Sequence, residues 1–227
     1  MIKHYLLLLI LICNFNITHA QVYRKKTMHA GETIASESTY LFPVFTNAVV
    51  KLKNGGTLNA AMNFNLLICE IQFISPGKDT LVLTRPEDVD SIIFDSSVFF
   101  FENSFYQIVA SSDSVKLAVL RRASYEPAKI GALGLPNHNG TGIQSYTSVI
   151  TYAGSKYLVM NEEVDITTET AYFLIKRNKE MVKVNKAGFM KTFPSKEASI
   201  QTYLKQNKTD LNKETDLKKL FAYCTTL

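Results

Sequence analysis

His138 is the side chain of this sequence best suited to acid–base chemistry. Histidine is the only residue type whose unperturbed pKa places its charge change near neutral pH, and His138 lies in a stretch rich in glycine and asparagine, from Gly134 to Gly142. Such loops supply many catalytic residues, although a solvated loop histidine is the commoner case. No second metal ligand lies at a useful spacing from it. His138 is therefore the candidate catalytic residue, and neither a metal site nor a cofactor is predicted.

Two short acidic clusters could in principle bind calcium or serve a glycosidase. The first contains Glu87, Asp88 and Asp90, and the second contains Glu162, Glu163 and Asp165. Neither has the ligand spacing of a calcium loop, and solvated turns are commonly acidic. A hydrolase that acts on a glycan or a peptide through such carboxylates and His138 is the alternative function.

The short motifs of common enzymes are missing from the sequence. There is no Gly-x-Ser-x-Gly elbow and no His-Glu-x-x-His pair, which serine hydrolases and zinc proteases use. There is also no P-loop or Gly-x-Gly-x-x-Gly element to hold phosphates. The expectation therefore leans towards a protein that is not an enzyme.

The first twenty residues have the three parts of a secretory signal peptide. Lys3 and His4 precede the uncharged run Leu6–Cys13, and Ala20 and Gln21 form a cleavage site with a small residue before the cut. The run is shorter than the roughly 20 residues that span a bilayer. We expect an exported protein, periplasmic, outer-envelope associated or secreted, that is not transmembrane once mature.

Export makes two further features of interest. Cys69 and Cys224 remain after cleavage, and they could form a disulfide in an oxidising compartment or stay buried thiols. Three Asp-Ser/Thr-apolar triplets resemble the O-glycosylation acceptor of secreted Bacteroidetes proteins, although the same pair also begins turns. The candidate acceptors are Thr80, Ser91 and Ser114.

The charge of the chain is concentrated near its C-terminal end. Residues 171–227 contain 12 lysines and arginines against 5 aspartates and glutamates, whereas the whole sequence has a net charge of only +5. Exposed lysines often serve solubility, but this region could also contact an envelope protein or an anionic polymer. Nucleic acid is not expected, because the aromatic residues do not alternate with the lysines as a stacking platform requires.

The apolar pattern predicts a mainly β protein. Residues alternate with a period of two from Tyr40 to about Arg121, and Asn54, Gly55 and Gly56 join two alternating runs as a tight hairpin. The stretch from Glu126 to Gly142 reads as a loop. The other predicted strands are Leu67–Phe73, Leu81–Leu83, Ser91–Phe94, Val98–Phe101, Phe105–Val109, Val115–Arg121, Ser145–Tyr152, Lys156–Met160, Ala171–Lys176 and Met181–Val184.

The period changes to about 3.6 near residue 185, which predicts two to three C-terminal helices. Asn185 and Asn212 are placed to cap the first and the third, and Pro194 to open the second. The fold class is therefore α+β and mainly β, an antiparallel meander in a curled sheet or partly open barrel. The predicted units are a signal peptide at 1–20, an extended arm at 21–39 and one domain at 40–227, with helices from about 185.

Several short motifs resemble uncharacterised exported proteins of Bacteroidetes-type bacteria. They are Tyr40-Leu41-Phe42-Pro43-Val44-Phe45, Val50-Lys51-Leu52-Lys53-Asn54-Gly55, Asn63-Phe64-Asn65, Arg85-Pro86-Glu87-Asp88-Val89-Asp90, Lys191-Thr192-Phe193-Pro194 and Asp216-Leu217-Lys218-Lys219-Leu220. The resemblance implies a β-rich body, a C-terminal helical pair and an envelope location, and it transfers no catalytic residue. The expected function is that of a binding or interaction module.

Overall fold

The computed structural model describes residues 21–29, 39–127 and 164–226. His138, Glu162, Glu163, the predicted signal peptide and the predicted strands at Ser145–Tyr152 and Lys156–Met160 lie outside these residues. The strands are β1 (Gln21–Met28), β2 (Thr46–Leu52), β3 (Thr57–Asn65), β4 (Glu70–Ile74), β5 (Thr80–Val82), β6 (Val89–Phe94), β7 (Ser97–Phe101), β8 (Phe105–Ser111), β9 (Val115–Pro127), β10 (Val164–Lys176) and β11 (Met181–Lys183). The helices are α1 (Lys186–Thr192), α2 (Glu197–Asn207) and α3 (Glu214–Thr226).

All eleven of these strands form one antiparallel sheet. Their order is β1-β10-β9-β8-β7-β6-β2-β3-β4-β5, and β11 pairs with β10 beside β1. Most neighbours in the sheet are therefore neighbours in the chain, as expected of a meander joined by short turns. The sheet does not close on itself. The predicted mainly β fold with C-terminal helices is confirmed.

The predicted hairpin between β2 and β3 is present. Gly55 has a φ of +87°, which glycine adopts without the steric cost that a side chain would bring. Elsewhere the strand boundaries differ from the prediction. Cys69 has a φ of +57°, so it belongs to the turn before β4 and not to the strand itself. β9 continues to Pro127, so the predicted loop does not begin at Glu126.

β9 and β10 are the longest strands described, with 13 residues each, and they pair along their whole length from Val115 with Lys176 to Pro127 with Val164. β1 occupies the other edge of β10 along Val164–Ala171, and β11 occupies it along Phe173–Ile175. The first part of the predicted N-terminal arm is thus an edge strand of the sheet.

One face of the sheet carries two hydrophobic cores. The first lies where the three helices cover β9, β10 and β11. It consists of Val115, Leu117, Val119, Tyr172, Leu174, Val182, Val184, Phe189, Phe193, Ile200, Leu217, Leu220, Phe221 and Cys224. The predicted period of about 3.6 is confirmed in α3, whose residues in this core are Leu217, Leu220, Phe221 and Cys224.

The second core forms where the N-terminal strands curl over themselves. It consists of Ala48, Val50, Met62, Phe64, Leu66, Ile71, Val89, Ile92, Phe94, Phe99, Phe105 and Ala123. Ala123 of β9 also belongs to this core. Its backbone N–H donates to the carbonyl of Leu66 at 2.7 Å, so a hydrogen bond links β9 to the segment that follows β3. Strand residues two apart point to the same face, so the side chains of Val119 and Ala123 lie on one face of β9 but in different cores.

The helices begin at identifiable residues. The side chain of Asn185 accepts a hydrogen bond from the backbone N–H of Gly188 at 2.7 Å, which confirms the predicted cap of α1. Asn212 does not cap α3, because the helix begins at Glu214 and Lys213 directly precedes it. The backbone N–H of Asn212 donates instead to the carboxylate of Asp210 at 2.9 Å.

We predict that Asn185→Ala lowers the free energy of unfolding by about 1 kcal/mol, because α1 loses its capping acceptor. Asn212→Ala is the matched control, and we expect it to change stability by less than about 0.5 kcal/mol. Urea unfolding of both variants measures the difference. Equal losses in the two proteins would contradict this assignment of the caps.

Candidate functional site

The structure separates the two acidic clusters. Asp88 ends a short 3-10 turn and pairs with Arg85, whereas Asp90 is exposed in β6. Asp165 has a structural partner instead. It accepts a hydrogen bond from the hydroxyl of Thr27 at 2.7 Å and pairs with Lys25 at 2.8 Å. Because both partners come from β1, this carboxylate stabilises the pairing of β1 with β10.

The two cysteines are free thiols in the structure. Cys69 packs against the core of the curled strands, and Cys224 lies within the core under the helices. Burial raises the pKa of both thiols, to about 11 for Cys224. The possible disulfide is not formed here, and pairing would have to draw one side chain out of its own core.

The candidate glycosylation residues differ in exposure. Thr80 is half-buried in β5, and Ser91 is half-buried in β6, where its hydroxyl donates to Asp90 at 3.2 Å. Ser114 is exposed in the turn between β8 and β9. Among the three hydroxyls, the structure therefore leaves that of Ser114 the most accessible.

A cleft of about 330 Å³ lies at the end of the sheet where β9 begins and β10 ends. We call it the basic cleft. It is lined by Lys53, Val89, Asp90, Phe100, Phe101, Glu102, Ser112, Asp113, Ser114, Val115, Lys116, Ile175, Lys176, Arg177, Lys179 and Met181. These residues come from five separate regions of the sequence, which the meander brings together.

Apolar side chains form part of the lining of the basic cleft. Phe100 stacks on Tyr106 with 5.5 Å between the ring centroids, and Tyr106 in turn contacts Phe173 edge-on. Ile175 is buried and Met181 is half-buried beside this group. Offset and edge-on ring contacts of this kind hold aromatic side chains in place. The cleft therefore offers an apolar surface of fixed shape.

Five cations and three carboxylates surround this apolar surface. The cations are Lys53, Lys116, Lys176, Arg177 and Lys179, and the carboxylates are Asp90, Glu102 and Asp113. Lys176 is paired with Glu180 at 3.1 Å. Hydrogen bonds from Lys191 and Lys176 lower the pKa of Glu180, so Glu180 stays ionised beside the cleft. The other four cations are exposed and have no ion pair within the described residues.

This grouping was not predicted from the sequence. The predicted contact region was the whole of residues 171–227, whereas the cleft takes Arg177 and Lys179 from the turn between β10 and β11. The basic character of that turn was visible in the sequence. Its proximity to Lys116 and Phe100 depends on strand pairing, which no local pattern reveals.

No protein-family model, curated protein or solved structure matches the chain. None of the helices in the described part of the chain is long and apolar enough to cross a membrane. Within residues 21–29, 39–127 and 164–226, no three histidine, cysteine or acidic side chains are grouped so that they could hold a metal ion. The site must therefore be interpreted from its own chemistry.

We predict that iodoacetamide modifies Cys69 of the native protein well before Cys224. With a pKa of about 11, only about one Cys224 thiol in a thousand is ionised at pH 8, and the thiolate is the reactive form. Mass spectrometry after native and denaturing alkylation measures both rates. An oxidised pair that resists alkylation even after denaturation would contradict the free thiols.

Proposed function

We propose that this protein is an exported, non-enzymatic binding module of the cell envelope, and that its basic cleft binds an acidic segment of a partner protein. The observation that carries the proposal is the exposed cationic rim around an apolar surface. A segment with carboxylates and apolar side chains would satisfy both features at once. Charge complementarity of this kind speeds association and selects partners.

The apolar lining favours a peptide over an anionic polymer. Phe100, Ile175 and Met181 present hydrocarbon that can bury an aliphatic or aromatic side chain. Burial of such a side chain supplies binding energy that the charges alone would not, because exposed ion pairs are worth little in water. A polymer bound only through its charges would leave the apolar surface uncovered.

The carboxylates of the cleft favour binding over hydrolysis. Asp90, Glu102 and Asp113 are all exposed to solvent. A hydrolase that uses two carboxyl groups needs one of them protonated near neutral pH, and burial in an apolar pocket is a common way to achieve this. Exposed carboxylates are better suited to select the charge pattern of a partner, because they repel misplaced acidic groups.

The proposed export rests on the signal-peptide pattern of the first twenty residues. Lys3 and His4 precede the uncharged run Leu6–Cys13, and the small residue Ala20 stands before the proposed cut. The described strand β1 belongs to the mature chain that this cut would leave.

We predict that reversing two charges of the rim, with Arg177→Glu and Lys179→Glu together, weakens partner binding at least about tenfold. Each reversal removes an exposed ion pair worth up to about 1 kcal/mol and replaces it with a repulsion of similar size. The control is Lys205→Glu with Lys219→Glu, which changes the net charge equally on the helices. A photo-crosslinking side chain at position 181 should capture the partner in native cells, and one at exposed Val49 should not.

Three outcomes would contradict the proposal. The first is a cleft variant that binds as well as its control. The second is an anionic polymer captured at position 181 in place of a protein. The third is turnover of a glycan or peptide library by the purified protein that is lost on replacement of Asp90 or Asp113, because this would favour the hydrolase.

A further inference from the structure

A second cavity lies on the face of the sheet that carries the two cores, at the place where they meet. We call it the junction groove, and its volume is about 320 Å³, within the range of small-molecule sites. It is lined by Val22, Arg24, Leu66, Arg121, Arg122, Thr168, Glu169, Thr170, Tyr172 and Asn212. None of these residues lines the basic cleft.

Strand register explains how the polar groups of the groove come together. Arg121 of β9 lies opposite Thr170 of β10, which lies opposite Val22 of β1. Thr168 of β10 lies opposite Arg24 of β1 in the next row on the same face. Three neighbouring strands thus present two arginines and two threonines side by side, between the core under the helices and the core of the curled strands.

Tyr172 contributes a hydroxyl to the junction groove. Only 4% of this residue is exposed, and its hydroxyl has no hydrogen-bond partner among the residues that the structure describes. Among those residues only Thr192 has a fully buried side-chain oxygen without a partner, so the hydroxyl of Tyr172 faces the open space of the groove. It can bind water in the free protein and a ligand in its place. Burial raises the pKa of Tyr172, and the nearby charges of Glu214, Arg121 and Arg24 also act on it. The hydroxyl is therefore a hydrogen-bond donor at neutral pH.

Three arginines line the groove, and two of them are held in ion pairs, Arg121 with Glu214 and Arg122 with Glu169. Arg121 is held in place, because its guanidinium donates to the side-chain oxygen of Gln107 and pairs with Glu214 at 2.7 Å. Glu214 also binds Lys218 at 2.7 Å. Arg24 is exposed and has no ion pair within the described residues, so its guanidinium is available to a ligand. An arginine fork can bind both oxygens of one carboxylate.

We propose that the junction groove binds a small hydroxylated carboxylate of the sugar-acid class. Arg24 binds the carboxylate, and the hydroxyl of Tyr172 donates to the ligand. Thr168, Thr170 and Asn212 exchange hydrogen bonds with its hydroxyl groups. This site does not depend on the peptide-binding role proposed for the basic cleft.

The charges of the groove select the ligand class. The ion pairs of Arg121 with Glu214 and of Arg122 with Glu169 are each neutral overall, which leaves Arg24 as the net charge. A single negative charge on the ligand matches this arrangement. A phosphate carries more charge and would meet repulsion from Glu169 and Glu214. These carboxylates can instead accept hydrogen bonds from ligand hydroxyls.

Titration of the purified protein with D-glucuronate, followed by calorimetry, tests the site. We expect saturable binding that weakens about tenfold or more in Arg24→Gln and in Tyr172→Phe, since each change removes a direct contact. Arg177→Gln in the basic cleft is the control and should bind as the unchanged protein does. Acetate lacks the hydroxyls, glucose lacks the charge, and both should bind about tenfold or more weakly than glucuronate.

A measurement of thermal unfolding distinguishes binding from a structural role. Tyr172→Phe removes a hydroxyl that has no described partner, so the variant should unfold at the same temperature as the unchanged protein or above it. A fall in the melting temperature, no glucuronate binding at about 10 mM, or equal binding of acetate, glucose or phosphate would each overturn the proposal. Unchanged glucuronate binding by Tyr172→Phe would overturn it as well.

Discussion

The pairing of β9 with β10 is the constraint on which the rest of this structure depends. Thirteen consecutive residue pairs join the two strands in a ribbon. This ribbon is too long to be buried by the helices alone or by the curled N-terminal strands alone. The three helices cover one half, over Leu117 and Leu174, and the curled N-terminal strands cover the other half at Ala123. Because burial of apolar area drives folding, the position of each cover follows from where β9 and β10 place their apolar side chains.

Both cavities follow from this division. The basic cleft lies where the ribbon ends, next to Val115 and Lys176, because the turns that leave β8 and β10 meet there. The junction groove lies between the two covers, where Arg121 separates the apolar side chains of Val119 and Ala123. Arg121 is anchored by Gln107 of β8 and Glu214 of α3, so one polar contact joins sheet and helices between the two cores.

Local patterns predicted the parts of the fold whose causes are local. Gly55 marks a hairpin because only a few residue types accept a positive φ, and Asn185 caps α1 because its side chain reaches the next turn of its own helix. The same reasoning predicted that Asn212 caps α3, but the helix begins two residues later, at Glu214. That boundary depends on where the helix meets the sheet, since apolar packing overrides a weak capping preference.

The sequence by itself determined that the chain alternates into short strands, turns at its glycines and ends in amphipathic helices, because each of these features is set by neighbours a few residues apart. Only the tertiary structure decided which distant residues meet. Asn63 shows this, because its buried amide holds the backbone of Phe42 and Val44 through hydrogen bonds of 2.8–3.2 Å that no sequence pattern marks. The same holds for Arg24 and Tyr172, which lie 148 positions apart and share a groove only because β1 pairs with β10.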